Sequence, residues 1–338
     1  MKHSTRSKRI RAAYRVTVAI LAMASVAGCS WPSFLITPVG GRREFVETEL
    51  SRNSRWATDK IALIDVSGII SNAHSQRLLG QGEHPVSALL EQLDKARHDR
   101  RVKGVILRIN SPGGTVVASE LMHDEITHFK KSGKPIVAVM MDVAASGGYY
   151  IACACDEIIA QRSTVTGSIG VIMRTFDLSG TMEKLGVKSE AIVSGEYKDL
   201  GSLFRKLRSE ERAIFQGIID EMYGRFVATV VAGRPKLDEA RVRQLADGRV
   251  YTAAQALEAG LIDRIATLRE AVHIVSERTG SKKVRLVAYK RGMDYRPNYY
   301  ASSPVRPSGD INLLNIDLTG LQDLTTPQFL YLWVPGER

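Results

Sequence analysis

Ser146 stands in the run Ala144-Ala145-Ser146-Gly147-Gly148-Tyr149-Tyr150, between an apolar, β-branched stretch at 135–141 and a segment that reads as a helix. A serine on a strand-to-helix turn projects from it, the glycines let a substrate come close, and the free N–H groups of the helix start face the same point. Those features suit nucleophilic attack on a carbonyl. Small residues filling a crowded turn are the plain alternative. Attack also needs donors for the charge that develops on the carbonyl oxygen. One βα unit earlier, Arg108-Ile109-Asn110-Ser111-Pro112-Gly113-Gly114 ends a strand in a Gly-Gly turn. The backbone amides of Gly113 and Gly114, with that of Gly147, could form such an oxyanion hole. An ordinary turn before a helix would look similar.

The serine also needs a base. None of the seven histidines lies between His128 and His273, and His123 and His128 fall on an expected helix as polar positions. A Ser/His pair is therefore poorly supported. Lysine is the other choice, and Ser194-Gly195-Glu196-Tyr197-Lys198-Asp199-Leu200 follows an expected strand at 188–193. A lysine base near neutrality must lose about three pKa units, roughly 4 kcal/mol, which calls for burial away from carboxylates. Glu196 and Asp199 are accordingly expected to point away from Lys198. A hydroxyl must then orient the neutral amine, and Ser168 in Thr166-Gly167-Ser168-Ile169-Gly170 is placed to supply one.

The elements that must hold these residues alternate along the chain. Strands are expected at 61–66, 102–109, 135–141, around Ile158 and at 188–193. Helices are expected around Leu89 and Leu93, from Leu121 to Phe129, after Ser146, and from Ser209 to about Gly233, with Ile214, Ile218, Met222, Phe226 and Val230 as an apolar stripe, and a further segment runs from 178 to 185 and is closed by Gly186. A shorter helix, 252–259, should end at Gly260. Such alternation implies right-handed βαβ repeats and a mostly parallel sheet, an α/β fold. At 338 residues and 44% hydrophobic, the chain can bury a large core.

The formal charge of +11 suggests a polyanion binder until its distribution is examined: Lys2, Arg6, Lys8, Arg9, Arg11 and Arg15 carry six charges, leaving +5. No basic stripe interleaved with aromatics occurs, so no nucleic-acid partner is expected. The basic start precedes an apolar run at 16–27, the pattern of an export signal. Val26-Ala27-Gly28-Cys29 resembles a bacterial lipobox, which makes Cys29 a lipid-attachment site; an uncleaved signal anchor, extended by Trp31, Phe34, Leu35 and Ile36, is the alternative. Cys153 and Cys155 are two apart on an expected helix and point away from each other, as buried small side chains rather than a disulfide. No metal site and no cofactor is expected.

Ile109-Asn110-Ser111-Pro112-Gly113-Gly114, Ala144 to Tyr150, Thr166 to Val171 and Gly195 to Asp199, in this order, resemble the signal peptide peptidases of the SppA type. The resemblance covers roughly 61–265 and implies a Clp-protease/crotonase-like fold. It implies Ser146 as nucleophile, Lys198 as general base and Ser168 as the residue positioning the lysine. Gly113, Gly114 and Gly147 would form the oxyanion hole. The function implied is hydrolysis of signal-peptide remnants and other membrane-released peptides by a serine endopeptidase, attached to a bacterial membrane on its extracytoplasmic, periplasmic side. A single copy of each motif resembles the short form of the family, in which the lysine reaches the serine of a neighbouring subunit, so a homo-oligomer with shared sites is expected. The domain reading is a signal segment at 1–28, a membrane-proximal tether at 29–58, the peptidase domain at 59–281 and an irregular tail at 282–338. A crotonase-type acyl-CoA enzyme and a non-catalytic lipoprotein scaffold are the competing readings.

Overall fold

Along 61–66, 102–109 and 136–140 both faces of the chain are apolar, the pattern of strands covered on each side. These residues form β2 (Asp59–Ser67), β3 (Val102–Ser111) and β5 (Ile136–Ala145), consecutive parallel neighbours in a nine-stranded sheet. In this computed structural model the described residues are 45–72, 84–291 and 328–333. The chain divides into two units, Met1–Arg42 and Arg43–Arg338, and all described residues belong to the second.

Period-two alternation sorts the core into two layers. Ala62, Ile64, Val105, Leu107 and Ala138 face one side, packed with residues of α1 (Pro85–His98) and α2 (Val116–Lys130). Ile61, Leu63, Ile106, Val137 and Val139 face the other, against Leu268, Ala271 and Val275 of a helix at Leu268–Arg278. Lys134 closes the end of α1, donating from Nζ to the carbonyls of Ala96, Arg97 and Asp99 at 2.7–2.8 Å.

The sheet splits where β3 and β5 end. The first half of β5 pairs in parallel with β6 (Glu157–Ala160), and its second half with β7 (Val165–Gly167). The β3–β5 register shifts between Ile109 and Ser111, and Asn110 fills the break by accepting from Val143 N–H at 3.1 Å through Oδ1. Past Met140 the neighbour of β5 is therefore β7 rather than β6, and in α/β sheets ligands bind at such strand ends.

Four expectations need correction. Residues 45–52, expected within the tether, form β1 (Phe45–Arg52), antiparallel to β11 (Val284–Arg291), itself expected to be irregular tail. In β11, Val284, Leu286, Val287 and Ala288 are buried, and the strand extends the parallel sheet beyond β2, so its apolar content finds a partner that local sequence does not reveal. A second strand inside the expected tail, β12 (Phe329–Leu332), lies between β4 (Gly113–Thr115) and β8 (Ile172–Met173). Conversely, 188–193 is not a strand: those residues are exposed, and no neighbouring strand pairs with them. After a short helix, α4 (Ser179–Lys184), the long helix, α5 (Ser209–Gly233), begins at the expected residue, with Arg208 as its N-cap. Of its apolar stripe, Phe226 and Val230 are buried, while Ile214 is exposed.

Candidate active site

Ser146 is where β5 gives way to α3 (Gly147–Ala152), a short helix whose every residue is buried. Its backbone is strained, at φ 51° and ψ −114°, a left-handed setting that costs a non-glycine residue about 1–3 kcal/mol. Two bonds hold it there: Ser146 N–H donates to Gly167 O at 2.7 Å, and Ser146 O accepts from Tyr150 N–H at 2.8 Å. The side chain makes no helix-capping bond, so Oγ is left for other work. Only 1% of the residue is exposed, which screens the hydroxyl from bulk water.

The Gly-Gly turn closes over this serine. Gly113 has φ 103°, and a methyl group on it would stand 1.9 Å from Tyr331 O and 2.6 Å from Gly147 N. On Gly114 a methyl would meet Ile70 O at 1.7 Å, and on Gly147 it would lie 3.2 Å from Gly114 N. The amides of Gly114 and Gly147 are thus near neighbours, in a space that no side chain could share. Ser111 fixes the turn, donating from Oγ to Gly68 O at 2.6 Å and accepting from Gly113 N–H at 3.1 Å. Ile70 N–H donates to Gly113 O and Ile70 O accepts from Thr115 N–H. These two bonds use the Ile70 side of the strand, so the N–H and C=O of Gly114 face the opposite edge.

Ser168 is brought to the serine by strand register. Ala145 pairs with Gly167 in the parallel β5–β7 ladder, so Ser146 and Ser168 are the next residues on adjoining strand ends. Ser168 is buried, has φ 49°, and donates its N–H to Arg249 O at 2.8 Å. Lys198 is not brought to either serine. It is exposed, and among the described residues no ion pair or side-chain hydrogen bond engages it. Asp199 turns to Arg205, accepting at 2.7 Å on both carboxylate oxygens, and Glu196 lies 3.7 Å from Arg208. The flanking acids thus have partners other than the lysine. Cys29 lies outside the described residues. Cys153 and Cys155 are free and buried, and burial pushes the Cys153 thiol up to about 12 and the Cys155 thiol higher still.

The profile of peptidase family S49 matches residues 128–303, more than half of the chain, and that of Clp protease matches residues 70–181. The chain belongs to peptidase family S49. The S49 chain is 36% identical over 250 residues to an Enterococcus faecium protein provisionally named signal peptide peptidase SppA, covering 74% of this chain and 72% of that protein. It is 42% identical over 212 residues to a Synechocystis protein provisionally named a protease, covering 63% and 72%. Against the chloroplastic serine protease SPPA of Arabidopsis thaliana it is 38% identical over 242 residues, covering 69% of this chain and 35% of that protein. The Clp-protease-like fold expected from the motifs is the fold observed, with its mostly parallel sheet and alternating helices.

Residues outside the motifs also shape the site. Ile70 walls Gly114, and Tyr331 lies across it. Neither carries a local signal, because each reaches the turn from a distant part of the chain. Ser119 does lie near in sequence, and its Oγ, bonded to Thr115 O at 3.0 Å, backs Gly147.

Proposed function

We propose that this S49 chain is a membrane-attached serine endopeptidase that hydrolyses signal-peptide remnants and other membrane-released peptides through an acyl-enzyme on Ser146. The observation that carries the reading is the convergence of a strained, dry serine with the neighbouring amides of Gly114 and Gly147. Attack of Oγ on a peptide carbonyl moves negative charge onto the carbonyl oxygen, where two fixed N–H donors stabilise it without reorganising. The proton goes to Lys198 and from there to the leaving amine. Water, deprotonated by the same lysine, then releases the acyl group.

In this reading the lysine comes from a neighbouring copy. An arm at 174–207 is mostly exposed and carries Phe176, Leu185, Val187, Ile192 and Phe204 to solvent, apolar surface that a second copy would cover. Docking would also remove Lys198 from water, the condition for a neutral amine. Ser168, beside Ser146, would orient that amine. The name of the Enterococcus relative supports the substrate class. No helix among the described residues is long and apolar enough to cross a membrane, so attachment is assigned to the N-terminal segment, through Cys29 or as an uncleaved anchor.

A fluorophosphonate probe tests the nucleophile. Labelling should map to Ser146, and Ser146→Ala should abolish both labelling and peptide hydrolysis with an unchanged thermal midpoint. Hydrolysis surviving in Ser146→Ala would overturn the assignment, and a crotonase-type hydratase would not label at all.

A further inference from the structure

Among the described residues only two other than glycine have a left-handed backbone, Ser146 at φ 51° and Ser168 at φ 49°, and they stand on adjoining strand ends. Such settings cost about 1–3 kcal/mol each and last only where the surroundings force them. One residue links the two. Gly167 O accepts from Ser146 N–H at 2.7 Å, and the residue after Gly167 is Ser168. A movement of Gly167 therefore moves both serines.

With three residues, β7 needs support on both edges. On the inner edge Thr166 Oγ1 donates to Ala144 O at 2.6 Å. On the outer edge runs β9 (Val250–Thr252), antiparallel, with Tyr251 opposite Thr166 and Val250 opposite Gly167. Ser168 N–H donates to Arg249 O at 2.8 Å, while the Arg249 side chain turns to Asp247 at 2.7 Å, so its carbonyl alone serves the turn. Tyr251 closes the turn from outside. A methyl group on Gly167 would stand 2.5 Å from Tyr251 Cδ2 and 3.2 Å from Arg249 O, so the ring rests directly on the glycine. The ring is itself tied down: Tyr251 Oη donates at 2.8 Å to Leu245 O, a carbonyl left over at the end of α6 (Glu239–Leu245). Packing alone would be met by any apolar side chain, whereas the bond from the phenol fixes where the ring stands over Gly167.

We propose that Tyr251 is a positioning residue of the peptidase reaction: seated on Gly167 and tied to α6, it keeps Ser146 and Ser168 at a fixed spacing, so that Ser168 can orient the amine that deprotonates Ser146. This rests on the Ser146/Lys198 chemistry proposed above, with Ser168 beside it. Tyr251 acts through the turn and not on the reacting atoms. Without the ring, Gly167 regains the conformational freedom of a glycine, and the two serines can relax towards ordinary settings. A displacement of about 1 Å at a catalytic group can cost about a hundredfold in rate.

Steady-state kinetics of the full chain on a fluorogenic peptide, expressed per Ser146 site titrated with fluorophosphonate, tests it. Tyr251→Leu, which removes the ring, should lower kcat at least about tenfold with KM within a factor of about three. Water admitted beside the amine favours its charged form, so the acid limb of the kcat/KM profile should move up by at least about half a pH unit. Tyr251→Phe keeps the ring and loses the tie to Leu245 O, so its kcat should fall about threefold and its limb should move the same way by less. A side chain that only stabilises the fold would lower the thermal midpoint and the number of titratable sites, leaving kcat per site and the limb in place. That result in a folded Tyr251→Leu chain overturns the proposal. If Tyr251→Leu does not fold, Tyr251→Phe decides by the same two readings, and parental values on both overturn it. Ser168→Ala, measured in parallel, separates the two levels: hydrolysis at the parental rate removes the orienting hydroxyl on which the role of Tyr251 rests, whereas a loss there beside parental Tyr251 variants removes the role of Tyr251 alone.

Discussion

A methyl group on Gly114 would stand 1.7 Å from Ile70 O, and accommodating it means pushing the 68–70 segment or the turn itself out of place. In the proposed mechanism either movement takes the amide off the line to a developing oxyanion. Loss of one such donor costs about 3 kcal/mol of transition-state stabilisation, so Gly114→Ala should lower kcat at least about a hundredfold with a smaller change in KM. Steady-state kinetics on a fluorogenic peptide measures this, and a kcat within a factor of about three of the parent would remove Gly114 from the oxyanion hole. The motif containing this glycine was readable because the chemistry demands small residues and free amides at one place. Ile70 and Tyr331 were not readable, since their relation to Gly114 is set by strand pairing over long separations.

At the scale of elements, the arm bearing Lys198 is attached by a charged clasp at the start of α5. Glu211 is fully buried and accepts from Arg205, from Arg208 Nη2 at 2.7 Å and from Arg208 N–H at 3.0 Å. Hydrogen bonds from Arg205 first, then those from Arg208, outweigh burial and hold its carboxyl at about 2, against an ordinary 4.5. A depressed carboxyl contributes stability that is complete above its unfolded value and disappears as pH falls from about 4.5 towards 2. Glu211→Gln should therefore loosen 196–208 at neutral pH, seen as faster hydrogen exchange there. Acidification from pH 5 to 3 should loosen the same segment in the parent and change the variant less. Equal exchange in both chains at pH 7 would show that the clasp does not order the arm. The sequence pattern marked α5 and its apolar stripe, but Glu211 looked like an ordinary first-turn acid. Its burial follows from two arginines that fold back onto it.

For the whole molecule, a separated serine and lysine make a clear prediction about assembly. Ser146→Ala and Lys198→Ala chains should each be inactive, and mixing them should restore peptidase activity, because some sites then combine an intact serine from one copy with an intact lysine from another. Co-purification through two different tags verifies the mixed oligomer, and verified mixtures that stay inactive would count against a shared site. The single-copy motifs raised this expectation, and the exposure of Lys198 and of the arm's apolar side chains gives it a physical basis.

What the sequence determined by itself was whatever local rules enforce: apolar β-branched runs that must be covered strands, glycines where only backbone fits, and a serine at a strand-to-helix turn. Together these specified the α/β architecture and identified Ser146, Gly113, Gly114, Gly147 and Ser168 as one neighbourhood. The tertiary structure decided matters that depend on partners far along the chain. Strand status is one, because a strand is stabilised by its neighbour: β1, β11 and β12 found neighbours, and 188–193 did not. The surroundings of Gly114 are the other, since only the completed fold brings Tyr331 across it and sets the tyrosine ring against Tyr150 and Phe226.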